Sequence, residues 1–185
     1  MAESNPQLDE AARSELLELA RTALTEYLRC GRAPDHQLSH PALMSHSGAF
    51  VSLHAGEHLR GCIGQIVTDQ ELYRTVQQCA ISAALEDYRF SPVGPDELPG
   101  LTIEISVLTP MERNRDVERI QVGKHGLYVV RGGNRGLLLP QVASQYRWNR
   151  ETFLIQACRK AGLPDDAWRE PATAIYTFEA QVFGE

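Results

Sequence analysis

Ala49-Phe50-Val51-Ser52-Leu53-His54-Ala55-Gly56-Glu57-His58-Leu59-Arg60-Gly61-Cys62-Ile63-Gly64-Gln65-Ile66 reads as a β-hairpin. Ala49–Leu53 and His58–Ile66 are its strands, and Ala55-Gly56-Glu57 makes the turn. Inside the second strand, Arg60 and Cys62 stand two residues apart among glycines. Residues at i and i+2 of a strand share a face. The spacing therefore predicts Arg60 and Cys62 on one side, with Leu59, Gly61 and Ile63 on the other. Gly61 and Gly64 leave the backbone bare enough for a ligand or a second chain segment to come close. A cation beside a thiol favours the thiolate, which is the reactive form. The bland reading stands beside this one, because cysteine in a strand is also a small buried hydrophobe.

Working outward, Leu8–Cys30 has the apolar spacing of an amphipathic helix through Leu16, Leu17, Ala20, Leu24 and Leu28, with Gly31 as its stop. Arg32–Gly48 reads as a long connection. Thr68 and Glu71 form a capping-box pattern that opens a helix through about Asp87. Its face of Leu72, Val76, Cys79, Ala80, Ala83 and Ala84 suits close packing on a sheet and makes Cys79 structural. Three prolines stiffen the loop Tyr88–Gly100. Leu101–Thr109 alternates as a strand, with Glu104 either solvated or facing a cleft. Met111–Val122 is polar and shows no periodicity. Gly126–Arg131 and Gly136–Pro140 make a second hairpin about Gly132-Gly133-Asn134. Helices follow at Gln141–Tyr146 and at Arg150–Ala161, the second capped by Asn149 and stopped by Gly162. Thr173–Phe183 reads as one last strand. Two hairpins without regular strand–helix alternation predict an α+β fold, a largely antiparallel sheet flanked by helices, in a single domain over residues 1–185.

The 185 residues are 43% hydrophobic and 23% charged, ordinary globular values that allow a sizeable core without a disulfide staple. A net charge of −6 argues against coating nucleic acid through its phosphates. A local cluster of Arg60, Arg89, Arg131 and Arg135 would be needed for a nucleotide or RNA role. Cys30, Cys62, Cys79 and Cys158 lie far apart in sequence, which argues against a cysteine-built metal site. His36 and His40 are four apart, but Pro34 and Pro41 flank them and no acidic ligand completes a zinc-helix pattern, so no metal is expected. The start Met1-Ala2-Glu3-Ser4-Asn5-Pro6 lacks the pattern of a signal peptide, and no apolar run approaches bilayer length. The expectation is a cytoplasmic protein with reduced thiols and no membrane partner.

Leu59-Arg60-Gly61-Cys62-Ile63-Gly64 resembles the signature of the AMMECR domain family, called AmmeMemoRadiSam system protein A in bacteria and archaea. Further blocks resemble the family in the same order. They are Asp87-Tyr88-Arg89-Phe90-Ser91-Pro92, Glu97-Leu98-Pro99, Ile103-Glu104-Ile105-Ser106-Val107-Leu108-Thr109-Pro110, Gly123-Lys124-His125-Gly126-Leu127 and Gly136-Leu137-Leu138-Leu139-Pro140-Gln141-Val142-Ala143, followed by Trp148. The likeness runs from about residue 10 to the end; Gln145 and Tyr88 depart from the family's usual residues.

The resemblance implies a larger and a smaller lobe with a cleft between them where the signature residues gather. It also implies association with Memo-like and radical S-adenosylmethionine proteins. It carries no settled reaction and no known cofactor. Three functions follow as expectations. In the first, the protein is a cysteine-dependent enzyme or cofactor-handling subunit acting on a small anionic ligand. Cys62 and His125 are its catalytic candidates, and Arg60, Gly61, Gly64, Arg89, Glu104 and Ser106 its ligand-binding candidates. In the second, the same residues bind a small ligand or a partner without catalysis. In the third, weaker reading, they recognise a nucleotide or RNA.

Overall fold

The computed structural model describes residues 8–35 and 38–185. The readings of the N-terminal hexapeptide and of His36 lie outside the described residues. The chain divides into two compact units, one running up to Leu108 and including Gln181–Glu185, the other spanning Thr109–Ala180. Among the described residues each unit carries one four-stranded sheet, with neighbours in the order β2-β1-β3-β8 in the first and β4-β7-β5-β6 in the second. The expectation of an α+β, largely antiparallel fold is met, with two sheets in place of one.

The first unit begins with helix α1, Glu10–Cys30. Asp9 caps it by accepting from the Ala12 amide, and Gly31 ends it in the left-handed region at φ 71°. Leu16, Leu19, Ala20, Ala23 and Leu24 are its buried face. The hairpin strands follow as β1, Ala49–Ala55, and β2, His58–Gln65. Between α1 and β1 a short 3-10 helix, Pro41–Met44, is capped by the His40 ring, which accepts from the Ala42 amide.

Helix α2 is Leu72–Leu85, and the expected capping box is absent. Thr68 Oγ1 accepts instead from the Gln70 amide, making a local turn, and the Glu71 carboxylate pairs with Arg74 at 3.1 Å. The Leu72 amide is satisfied by the Ser45 carbonyl at 2.7 Å, so a tertiary partner replaces the side-chain cap. Strand β3 is Leu101–Leu108. Its inward residues Ile103, Ile105 and Val107 join Val51, Leu53, Val76, Ala80 and Leu24 in one apolar core.

In the second unit the polar segment after β3 forms strand β4, Glu112–Asn114, and a 3-10 turn, Val117–Arg119. The second hairpin is β5, Gly126–Arg131, and β6, Asn134–Leu138, with Gly132 at φ 58° in its turn. Helices α3, Pro140–Gln145, and α4, Arg150–Lys160, follow. Asn149 caps α4 by accepting from the Thr152 amide at 2.8 Å. Phe153, Leu154 and Ala157 of α4 pack with Leu127, Val129 and Ile175 as this unit's core.

The final segment is two strands, not one: β7, Ala174–Phe178, and β8, Ala180–Gly184. β7 pairs with β4 and β5, while β8 lies beside β3 in the first unit's sheet. Continuous alternation in sequence hides the break at Glu179, because both halves are half-buried strands.

Candidate functional site

Counting outward from the turn, an unbroken hairpin pairs Leu53 with Arg60 and Val51 with Cys62, on the core face. The observed register differs. Ala55 pairs with His58 and His54 with Leu59, then Arg60 is skipped, so that Leu53 pairs with Gly61, Ser52 with Cys62 and Val51 with Ile63. This β-bulge flips every later residue of β2 to the opposite face. Gly61 and Ile63 take the core side with Leu53 and Val51, and Cys62 takes the outer side with Ser52. Leu59 pairs with His54 on the outer side as well, and it is 37% exposed. The expectation that it points away from Cys62 fails because the bulge resets the alternation between them.

The bulge residue Arg60 is a loop pin. Its Nε and Nη2 hold the two Glu97 oxygens at 2.8 and 2.9 Å, and its Nη1 donates to the Ser91 carbonyl at 2.8 Å. Arg60 in turn holds the Glu97 carboxyl below the usual carboxylate range, with help from the Gly94 amide.

The cation against Cys62 is Arg89. Cys62 lies on edge strand β2, where backbone groups lack a strand partner on one side. The Asp87 carboxylate accepts from the Cys62 amide at 2.8 Å, and Arg89 Nη2 donates to the Cys62 carbonyl at 3.4 Å. Asp87 and Arg89 are themselves joined in a fork, with Nε to Oδ1 at 2.9 Å and Nη2 to Oδ2 at 2.7 Å. Asp87 is 5% exposed. The Arg89 hydrogen bond, aided by the Cys62 amide, holds its carboxyl well below the usual range despite burial. Asp87 raises the Arg89 pKa in return, with a lesser electrostatic contribution from Cys62.

The Cys62 thiol is half-buried, and the Ser52 hydroxyl donates to its Sγ at 3.2 Å. Ser52 also pairs with Glu104 of β3, so Cys62, Ser52 and Glu104 form one row across three strands on the outer face. Gly64, Phe50 and Ser106 form the adjacent row. Cys62 and Glu104 are both half-buried, whereas Ser106 is 3% exposed. Sequence reasoning missed Ser52 because its partner depends on the bulge. It missed Asp87 although that residue opens the Asp87–Pro92 block.

Both signature glycines make room for chain, one of the two roles expected of them. A Cβ on Gly61 would stand 2.0 Å from the Ala83 carbonyl oxygen, so α2 packs directly on the bare strand. A Cβ on Gly64 would stand 2.1 Å from the Phe50 ring. The remaining thiols contrast with Cys62. Cys79 lies on the buried face of α2 and burial pushes its pKa up to about 12; burial raises Cys158 also; Cys30 is exposed at the end of α1.

His125 belongs to the second unit, Cys62 to the first. The His125 ring closes its own turn, with Nδ1 accepting from the Gln121 amide at 3.2 Å. Of the four arginines that a nucleic-acid reading requires, three hold local carboxylates: Arg60 with Glu97, Arg89 with Asp87 and Arg131 with Glu170. Among the described residues no group of three His, Cys, Asp or Glu is arranged to hold a metal ion. Among them, too, no helix is long and apolar enough to cross a membrane.

The family model AMMECR1 matches residues 17–183. A protein of Thermococcus gammatolerans is 44% identical over 181 residues, covering 92% of this chain and 88% of its own. A protein of Methanothermobacter thermautotrophicus is 44% identical over 180 residues, covering 92% of each. The crystal structure of an uncharacterized protein, PH0010, from Pyrococcus horikoshii superposes with a TM-score of 0.88 at 39% identity, over 92% of this chain and 90% of that one.

Proposed function

From the premise that this chain belongs to the AMMECR1 family, we propose that it is a thiol-dependent enzyme or cofactor-handling subunit, working through Cys62 on a small ligand docked against the outer face of the first sheet. The observation that carries this reading is the row Cys62–Ser52–Glu104, with the half-buried Sγ accepting the Ser52 hydroxyl at 3.2 Å. The thiolate is the reactive form of a cysteine, and a hydroxyl donor on sulfur is a contact it can keep. In this reading Glu104, opposite Ser52, is the base: as Cys62 releases its proton to the Ser52 oxygen, the Ser52 hydroxyl turns from Sγ and hands its own proton to the carboxylate. Asp87 and Arg89 hold the Cys62 backbone, and the half-exposed Arg89 guanidinium supplies positive charge for an anionic ligand group. In this reading Ser52 and Glu104 do the work that the sequence assigned to His125. Association with Memo-like and radical S-adenosylmethionine proteins rests on the family resemblance.

A second reading has support of its own. Gly61, Gly64, Arg60 and Arg89 are all engaged in packing or ion pairs, as they would be in a rigid binding module without chemistry. Alkylation kinetics separate the two. Cys62 is expected to react with iodoacetamide at neutral pH faster than an unstructured peptide thiol, and Ser52→Ala and Glu104→Gln to slow it. Cys62 labelling at or below the peptide rate, unchanged in both variants, removes the thiol-centred reading and leaves the binding module.

A further inference from the structure

The second unit contains a pocket of about 550 Å3 beside β4 that the Cys62 reading does not use. Its lining includes three guanidiniums, Arg113, Arg115 and Arg119, together with His125, against two carboxylates, Glu112 and Asp116. That is a local excess of positive charge in a chain of net charge −6. Elsewhere in this unit arginines hold carboxylates: Arg131 with Glu170, Arg150 with Glu118, Arg159 with Asp165 and Arg169 with Glu151. Among the described residues the three pocket arginines make no such pair, and Arg113 lies over the Tyr176 ring, 5.5 Å from its centroid. The Asp116 carboxylate is turned to its own backbone, accepting from the Glu118 amide at 3.0 Å. The Asn114 side chain accepts from the Asp116 amide at 3.0 Å. Two successive side-chain turns therefore fix the segment that presents Arg115 and Arg119. His125 adds a donor: with Nδ1 accepting from Gln121, the proton of the neutral ring sits on Nε2.

The geometry points to a binding site for a small phosphorylated molecule in this pocket, held by Arg113, Arg115, Arg119 and His125. Guanidinium forks match phosphoryl oxygens in charge and shape. The volume falls within the range of small-molecule sites, of roughly 300–1,000 Å3. The phosphoryl group could be free or part of a nucleotide, and the test has an arm for each.

Inorganic pyrophosphate and ADP are titrated separately into the full chain by calorimetry at low and physiological salt. Binding that weakens with salt is expected, falling about tenfold with Arg115→Gln or Arg119→Gln and about a hundredfold with both. Arg131→Gln, which breaks an ion pair away from the lining, leaves the affinity unchanged. In the wild-type chain pyrophosphate or ADP shifts the His125 ring resonances, a readout that needs no variant. Equal affinities assign the site to phosphoryl groups in general, and a clear advantage for ADP assigns it to nucleotides. Neither probe binding at millimolar concentration overturns the inference, as does a double variant that binds as tightly as wild type.

Discussion

At the residue scale, Asp87 ties two parts of the candidate site together. Its buried carboxylate holds the Cys62 amide and the Arg89 guanidinium at once. Because folding lowers its pKa below the ordinary 3.8, Asp87 contributes stability above that value, which is lost as pH falls below it toward the folded pKa. Acid unfolding monitored by circular dichroism is therefore expected to flatten below pH ~4 in Asp87→Asn. At neutral pH that variant is expected to lose about 2 kcal/mol in urea melts, less than the roughly 3–5 of a fully buried broken pair, since half-exposed Arg89 can rehydrate. An acid limb unchanged by the substitution would show that other carboxylates govern it. Cys62 as a nucleophile candidate and Arg89 as an anion-binding candidate were legible in sequence, each in a distinctive block. Asp87 and Ser52 were not, since their importance lies in which atoms they meet.

At the scale of elements, β2 and α2 decide the site together. α2 lies so close to β2 that Gly61 has no room for a methyl group against the Ala83 carbonyl. The obstacle is helix backbone, which cannot rotate aside as a side chain can. Gly61→Ala is expected to cost about 1–3 kcal/mol by overpacking, and more if α2 shifts as a whole. A wild-type thermal midpoint would refute this close packing. The same strand shows the limit of pattern reading. Hairpin, turn and strand identity follow from β-propensity and Gly56, but the skip at Arg60 leaves no periodic trace. A one-residue slip exchanges the faces of a strand. Without it Cys62 would pair with Val51 on the core face. The capping box at Thr68 failed for a related reason: a local pattern lost to a tertiary partner, the Ser45 carbonyl.

At the scale of the whole molecule, the described residues build two cores, and both tryptophans, Trp148 and Trp168, pack against the second. Phe153 is fully buried there. Phe153→Ala is expected to cost about 3–5 kcal/mol and to move the tryptophan-fluorescence melt to lower temperature. A fluorescence melt that stays in place would show that this core is not organised around Phe153. The sequence by itself determined the class of fold, the places of helices and hairpins and the family, because periodicity, caps, glycine stops and ordered motif blocks are written along the chain. The tertiary structure decided that the described residues form two sheets, that the final strand breaks between them at Glu179, and that Cys62 faces outward with Ser52 and Glu104. Those outcomes depend on register and on contacts between residues remote in sequence, and alternation along one strand reads the same on either face until its neighbour is in place.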